Sequence, residues 1–93
     1  IEALAAPAVP EADRARAEAA EAALTLGPLA RRLIEQRLDA LAFRPGPTDG
    51  VFDDATRRAI RRFQAARGLP ETGYLDQTGM VALLAGGVIT LGD

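Results

Sequence analysis

The sequence predicts an all-α fold, a small three-helix bundle preceded by an extra N-terminal Ala-rich helix. Three observations carry that expectation. Apolar residues recur at helical spacing over 29–41 and 54–67. Capping and stopping residues bracket those runs. Two clusters of turn residues, "PGPTDG" at 45–50 and "LPETG" at 69–73, separate the segments.

Each element follows in order. Residues 1–10, "IEALAAPAVP", read as a linker or disordered arm, because prolines among small residues favour an extended chain. Residues 11–24 read as an accessory Ala-rich helix of high propensity. Glu11 and Asp13 lie near its start, where the helix dipole favours negative charge. Ala15, Ala19, Ala22 and Ala23 fall on one stripe. An alanine stripe buries little area, so this helix is expected to lie against the domain or a partner.

The domain proper is expected over 25–87, with Thr25 as N-cap of its first helix and Pro28 in the first turn. Leu29, Leu33 and Ala40 cluster on one side of that helix. Ile34, Leu38 and Leu41 cluster about 100° away. One cluster should meet the bundle, the other the Ala-rich helix or another chain. Arg37 falls between them, its stem expected along the seam and its head in water. After the loop, Asp53 or Asp54 caps the next helix and Gly68 stops it in the left-handed conformation. Ala55, Ala59, Ile60, Phe63 and Ala66 share its inner face, while Arg57, Arg58 and Arg61 share the outer one. Gly73 is free to take positive φ. Asp76 caps a short last helix that Gly86 and Gly87 are expected to end. The tail at 88–93 has strand-like character. Phe43, Phe52 and Phe63 are expected in the core.

Composition excludes several functions. A chain of 93 residues is one small domain with one modest core. Its net charge of −2 argues against a nucleic-acid partner bound by phosphate neutralisation. Without cysteine there is neither a disulfide framework nor a thiolate zinc site, and without histidine the usual proton shuttle is missing. No apolar run approaches the roughly 20 residues of a membrane span. A start at Ile1, with Met80 the only methionine, suggests a piece of a longer or processed protein.

Residues 29–85 carry a family resemblance. Ile34, Leu38 and Leu41 precede Phe43, followed by "PG" at 45–46 and "DGVF" at 49–52. Then come Thr56, "AI" at 59–60, "FQ" at 63–64, "GL" at 68–69, "TG" at 72–73, "LD" at 75–76 and Leu83. In this ordered series the chain resembles the peptidoglycan-binding domain of bacterial cell-wall enzymes. The family often has glutamine at the position of Glu35, and glycine at those of Ala42 and Asp53. The two glycine positions favour left-handed backbone, so Ala42 should cost about 1 kcal/mol if that conformation is kept. The same module resembles the pro-segment of matrix metalloprotease zymogens, but its zinc-blocking cysteine has no counterpart here.

The resemblance implies a bacterial periplasmic or extracellular protein that binds peptidoglycan, stem peptide and adjacent sugar, without catalysis. It would target a partner catalytic domain to the wall and needs no cofactor or metal. Candidate ligand-binding residues are Asp49, Gly50, Arg57, Arg58, Arg61, Gln64 and Tyr74. An arginine fork can hold a stem-peptide carboxylate, Gln64 can offer amide hydrogen bonds, and Tyr74 can form a groove edge. Against this stands a solvated arginine face paired Asp53 to Arg57 and Asp54 to Arg58. The acids Asp49, Asp53, Asp54 and Asp76 sit mostly at caps and turns and make a poor catalytic pair. The alternative function is a protein–protein interaction or oligomerisation module. It would use the two-sided helix and the Ala stripe to bind the parent chain's catalytic domain or a second copy.

Overall fold

The computed structural model describes residues 9–92, with side-chain surroundings through Ala85. Four helices follow one another: α1 (Glu11–Ala23), α2 (Pro28–Ala40), α3 (Asp54–Ala66) and α4 (Gln77–Gly92). Among the described residues there is no strand. Helices α2, α3 and α4 enclose a core of Ile34, Leu38, Ala59, Ile60, Phe63, Leu75 and Leu83. Residues 1–8 of the expected arm lie outside the described residues.

Local chemistry explains most helix boundaries. The Asp53 side chain accepts from the Thr56 amide at 3.0 Å and starts α3. Asp76 does the same for α4, accepting from the Gly79 amide at 2.7 Å. Helices α2 and α3 both end in a Schellman motif. In α3, Gly68 takes φ +70° while the Gly68 and Leu69 amides donate to the Ala65 and Gln64 carbonyls. In α2, the left-handed position is filled by Ala42 at φ +69°, with the Ala42 and Phe43 amides donating to the Asp39 and Leu38 carbonyls. The expected left-handed strain is therefore present at Ala42. At Asp53 it is not: φ is −90° and the backbone is extended, as an N-cap requires.

Several expectations are corrected. Thr25 does not cap α2. It closes α1 at φ +48°, its amide donating to the Ala22 carbonyl, and Gly27 occupies the N-cap because Pro28 takes the first helical position. The stripe Ala15, Ala19, Ala22 and Ala23 faces solvent; Ala17, Ala20 and Glu21 are the half-buried residues of α1. Methyl groups contribute too little to set the helix rotation, and the hydrogen bonds of Glu21 described below set it instead. The cluster of Ile34, Leu38 and Leu41 meets the bundle, and the other stays uncovered in this chain, with Leu29 68 % and Leu33 53 % exposed and Ala40 exposed as well.

The aromatic residues divide. Phe63 is fully buried and meets Phe43 edge to face at 6.0 Å between centroids, whereas Phe43 and Phe52 are half-buried at the core's margin. Ala66 is exposed, and Leu75, in the turn before α4, completes the core in its place. The head of Arg37 does not end in water: its Nε donates to the Leu83 carbonyl at 3.1 Å and ties α2 to α4. Helix α4 continues through Gly86 and Gly87 to Gly92, so the tail over 88–92 is helical, not strand-like. Glycine in a helix interior costs about 1 kcal/mol, which weakens a helix without ending it.

Candidate functional site

Two hydrogen-bonded turns hold the candidate surface in place. In the first, Glu35 is fully buried on α2. Its Oε1 accepts from the Gly50 amide at 2.7 Å, and its Oε2 lies 3.1 Å from the Thr56 hydroxyl. That hydroxyl is also 3.2 Å from the Pro45 carbonyl and from Asp53 Oδ1, and has one proton to share among them. Gly50 takes φ +86°, and a Cβ there would come within 3.0 Å of the Pro28 carbonyl oxygen. The turn thus needs glycine for its backbone angle and for its approach to α2.

The second turn is organised by Gln64. Its Nε2 donates to the Thr72 hydroxyl at 3.1 Å and the Tyr74 carbonyl at 2.9 Å, while Oε1 accepts from the Gly73 amide at 2.9 Å. The Thr72 hydroxyl donates to the Tyr74 carbonyl and accepts from the Tyr74 amide. The "FQ" and "TG" pairs are therefore one network, as are Glu35, "DG" and Thr56.

Arg57 lies where the second turn meets α1. Its Nη1 donates to the Gly73 carbonyl at 3.1 Å and to Glu21 Oε2 at 2.9 Å. The same Glu21 oxygen accepts from the Leu75 amide at 2.7 Å. The guanidinium sits over the Tyr74 ring at 4.1 Å from its centroid and over Phe52 at 5.2 Å. The expected pairs of Asp53 with Arg57 and Asp54 with Arg58 are not among the ion pairs of the described residues. Arg57 pairs with Glu21, while the Asp53 carboxylate is taken up as the N-cap of α3.

The seven candidate residues fall in three places. Arg57, Arg58, Arg61 and Tyr74 converge on one cavity of about 350 Å³, completed by Arg14, Asp54 and Thr72. That volume lies at the small end of ligand pockets. Arg58 and Arg61 are exposed and form no ion pair among the described residues. Tyr74 and Gln64 also line a larger cavity of about 530 Å³, walled by Asp13, Arg16, Ala17 and Ala20 of α1 and by Leu69, Pro70 and Thr78. Both ends of the Gln64 side-chain amide, its oxygen and its nitrogen, are engaged by the chain itself. Asp49 and Gly50 line neither cavity: Asp49 Oδ1 accepts from the Val51 amide at 3.0 Å, and the Gly50 amide is held by Glu35.

Sequence reading missed Glu21, Arg14 and Thr72. Glu21 shares an alanine-rich run with Glu18 and nothing local sets it apart; its partner Arg57 lies 36 residues away. Among the described residues no group of three or more His, Cys, Asp or Glu is placed to hold a metal ion, and no helix is long and apolar enough to cross a membrane.

This is a helical bundle that presents a cationic, aromatic-edged surface beside an added helix. The family model described as putative peptidoglycan binding domain matches residues 29–83, more than half of the chain, and the chain belongs to that family. The family is one of binding domains, not of catalytic ones. No curated protein and no solved structure gave a significant match.

Proposed function

We propose that the chain binds peptidoglycan without catalysing its turnover, and that it holds a partner catalytic domain at the cell wall, in the periplasm or outside the cell. The convergence of Arg57, Arg58 and Arg61 beside Tyr74 carries this reading. A guanidinium donates two parallel hydrogen bonds to a carboxylate, and stem peptides carry carboxylates. The Tyr74 ring offers an apolar edge for peptide or sugar. Gln64, Gly50 and Asp49 shape the two turns from behind and are placed in this reading as supports.

Sedimentation with purified sacculi tests the proposal. The chain should co-sediment, retention should fall as salt rises, and Arg58→Lys with Arg61→Lys should weaken it. No retention at low salt would refute the reading. A second reading, self-association or docking on another domain, is favoured by the exposure of Leu29 and Leu33 on α2. A dimer in analytical ultracentrifugation, lost on Leu33→Gln and accompanied by no wall retention, would select it.

A further inference from the structure

We propose that the Arg57 guanidinium and the Leu75 amide form a receptor for a peptide carboxylate, and that Glu21 of α1 occupies it in cis as a displaceable latch. For the identity of the external ligand this rests on the wall-binding reading above; the receptor and the latch stand on geometry alone.

Two donors meet one oxygen. Glu21 Oε2 accepts from Arg57 Nη1 at 2.9 Å and from the Leu75 amide at 2.7 Å. One donor is charged and one is backbone, and both point at a single acceptor, as in a carboxylate-binding site. The receptor is held independently of its occupant. The Gly73 carbonyl fixes Arg57 Nη1, and the Tyr74 and Phe52 rings lie under the guanidinium. Leu75 is anchored by its fully buried side chain. These groups belong to residues 52–75, inside the family match, whereas Glu21 lies outside it.

The occupant is weakly held apart from this contact. No residue of α1 is buried, and its inward alanines are only half-covered. The Glu21 side chain is 11 % exposed, and among the described residues it makes the side-chain hydrogen bonds that tie this helix to the rest of the chain. An external carboxylate therefore competes with an intramolecular one, and α1 lifts as it enters. The cavities on either side of Tyr74 are both walled in part by α1, so its departure widens them. Binding and release of α1 are then one equilibrium, and the latch lowers the apparent affinity by the fraction of time it is closed.

The test uses the full chain and an acetylated dipeptide with a free C-terminal carboxylate, with the corresponding carboxamide as control. The Leu75 amide resonance reports occupancy. In Glu21→Ala the carboxylate peptide should move that resonance with affinity roughly tenfold or more above wild type, the size expected for removing one charge-assisted competitor. The carboxamide should not move it. Glu21→Gln, which keeps the side chain's shape, should give a smaller gain in the same direction and serves if the alanine variant does not fold. Equal affinities in wild type and both variants, or an unmoved Leu75 amide, would overturn the proposal. Sacculus retention measured in parallel separates the two readings. Retention with a silent Leu75 leaves wall binding standing and removes the latch; a responding Leu75 without retention does the reverse.

Discussion

The Glu35 carboxylate accepts a 2.7 Å hydrogen bond from the Gly50 amide, fully buried, and no arginine among the described residues pairs with it. This contact joins α2 to the loop before α3. It also places a carboxylate where the family often has glutamine. Glu35→Gln keeps an acceptor for the Gly50 amide and turns a donor toward the Thr56 hydroxyl, whose own proton can then go to the Pro45 carbonyl. Its stability should stay within about 1 kcal/mol of wild type or exceed it. Glu35→Ala leaves the Gly50 amide unpaired and should cost about 2–4 kcal/mol. Urea unfolding of the two variants checks the pair. A tolerated alanine would show that the contact is dispensable.

Ala42 predicts a gain. It holds φ +69° at an exposed position, with both Schellman hydrogen bonds made by backbone. Ala42→Gly removes the Cβ clash of the left-handed conformation and leaves those bonds in place. It should raise stability by about 0.5 kcal/mol, because the greater freedom of glycine in the unfolded chain offsets part of the strain relieved. An unchanged or lower urea midpoint would contradict the strain assigned to this residue.

Asp53 predicts an acid dependence. The Thr56 amide, and after it the Thr56 hydroxyl, hold its carboxyl below the ordinary value of 3.8. A carboxyl with a depressed folded pKa adds stability above its unfolded pKa and loses it as pH falls through the folded one. Stability should therefore decline from about pH 4 downwards. Asp53→Asn keeps a side-chain oxygen for the Thr56 amide and removes the titration, so its decline should be shallower. An identical pH profile in the variant would remove Asp53 from the account.

Phe63 tests the packing. It is fully buried between Phe43 and the core and makes an edge-to-face contact. Phe63→Ala should cost about 3–5 kcal/mol, a large share of the stability of a domain this small. A variant with the wild-type melting midpoint would show that the core has been misassigned.

What the sequence made legible was what depends on near neighbours. Asp53 caps its helix through an amide three residues away, Gly68 stops that helix at its own position, and Ile34 and Leu38 fall on one face by helical geometry alone. The family resemblance supplied the order of these pieces, and the turns then proved to be the two networks centred on Glu35 and Gln64. What stayed hidden depends on distant partners. The rotation of α1 follows from Glu21, whose partners lie 36 and 54 residues away, so the alanine stripe pointed to the wrong face. Gln64 read as a free amide because its three partners are brought to it only by the fold. Leu75, in a turn, carried no periodicity to mark it as core. Gly86 and Gly87 read as a stop because propensity is a weak prior that the rest of α4 overrides.

In the function we propose, the surface around Arg57, Arg58, Arg61 and Tyr74 contacts the wall. Titration of the labelled chain with a soluble muropeptide, followed through every backbone amide, tests it most directly. The largest shifts should fall at residues 57–61 and 72–75 and shrink as salt rises. Shifts confined to the exposed leucine face of α2, or none at saturating muropeptide, would contradict it.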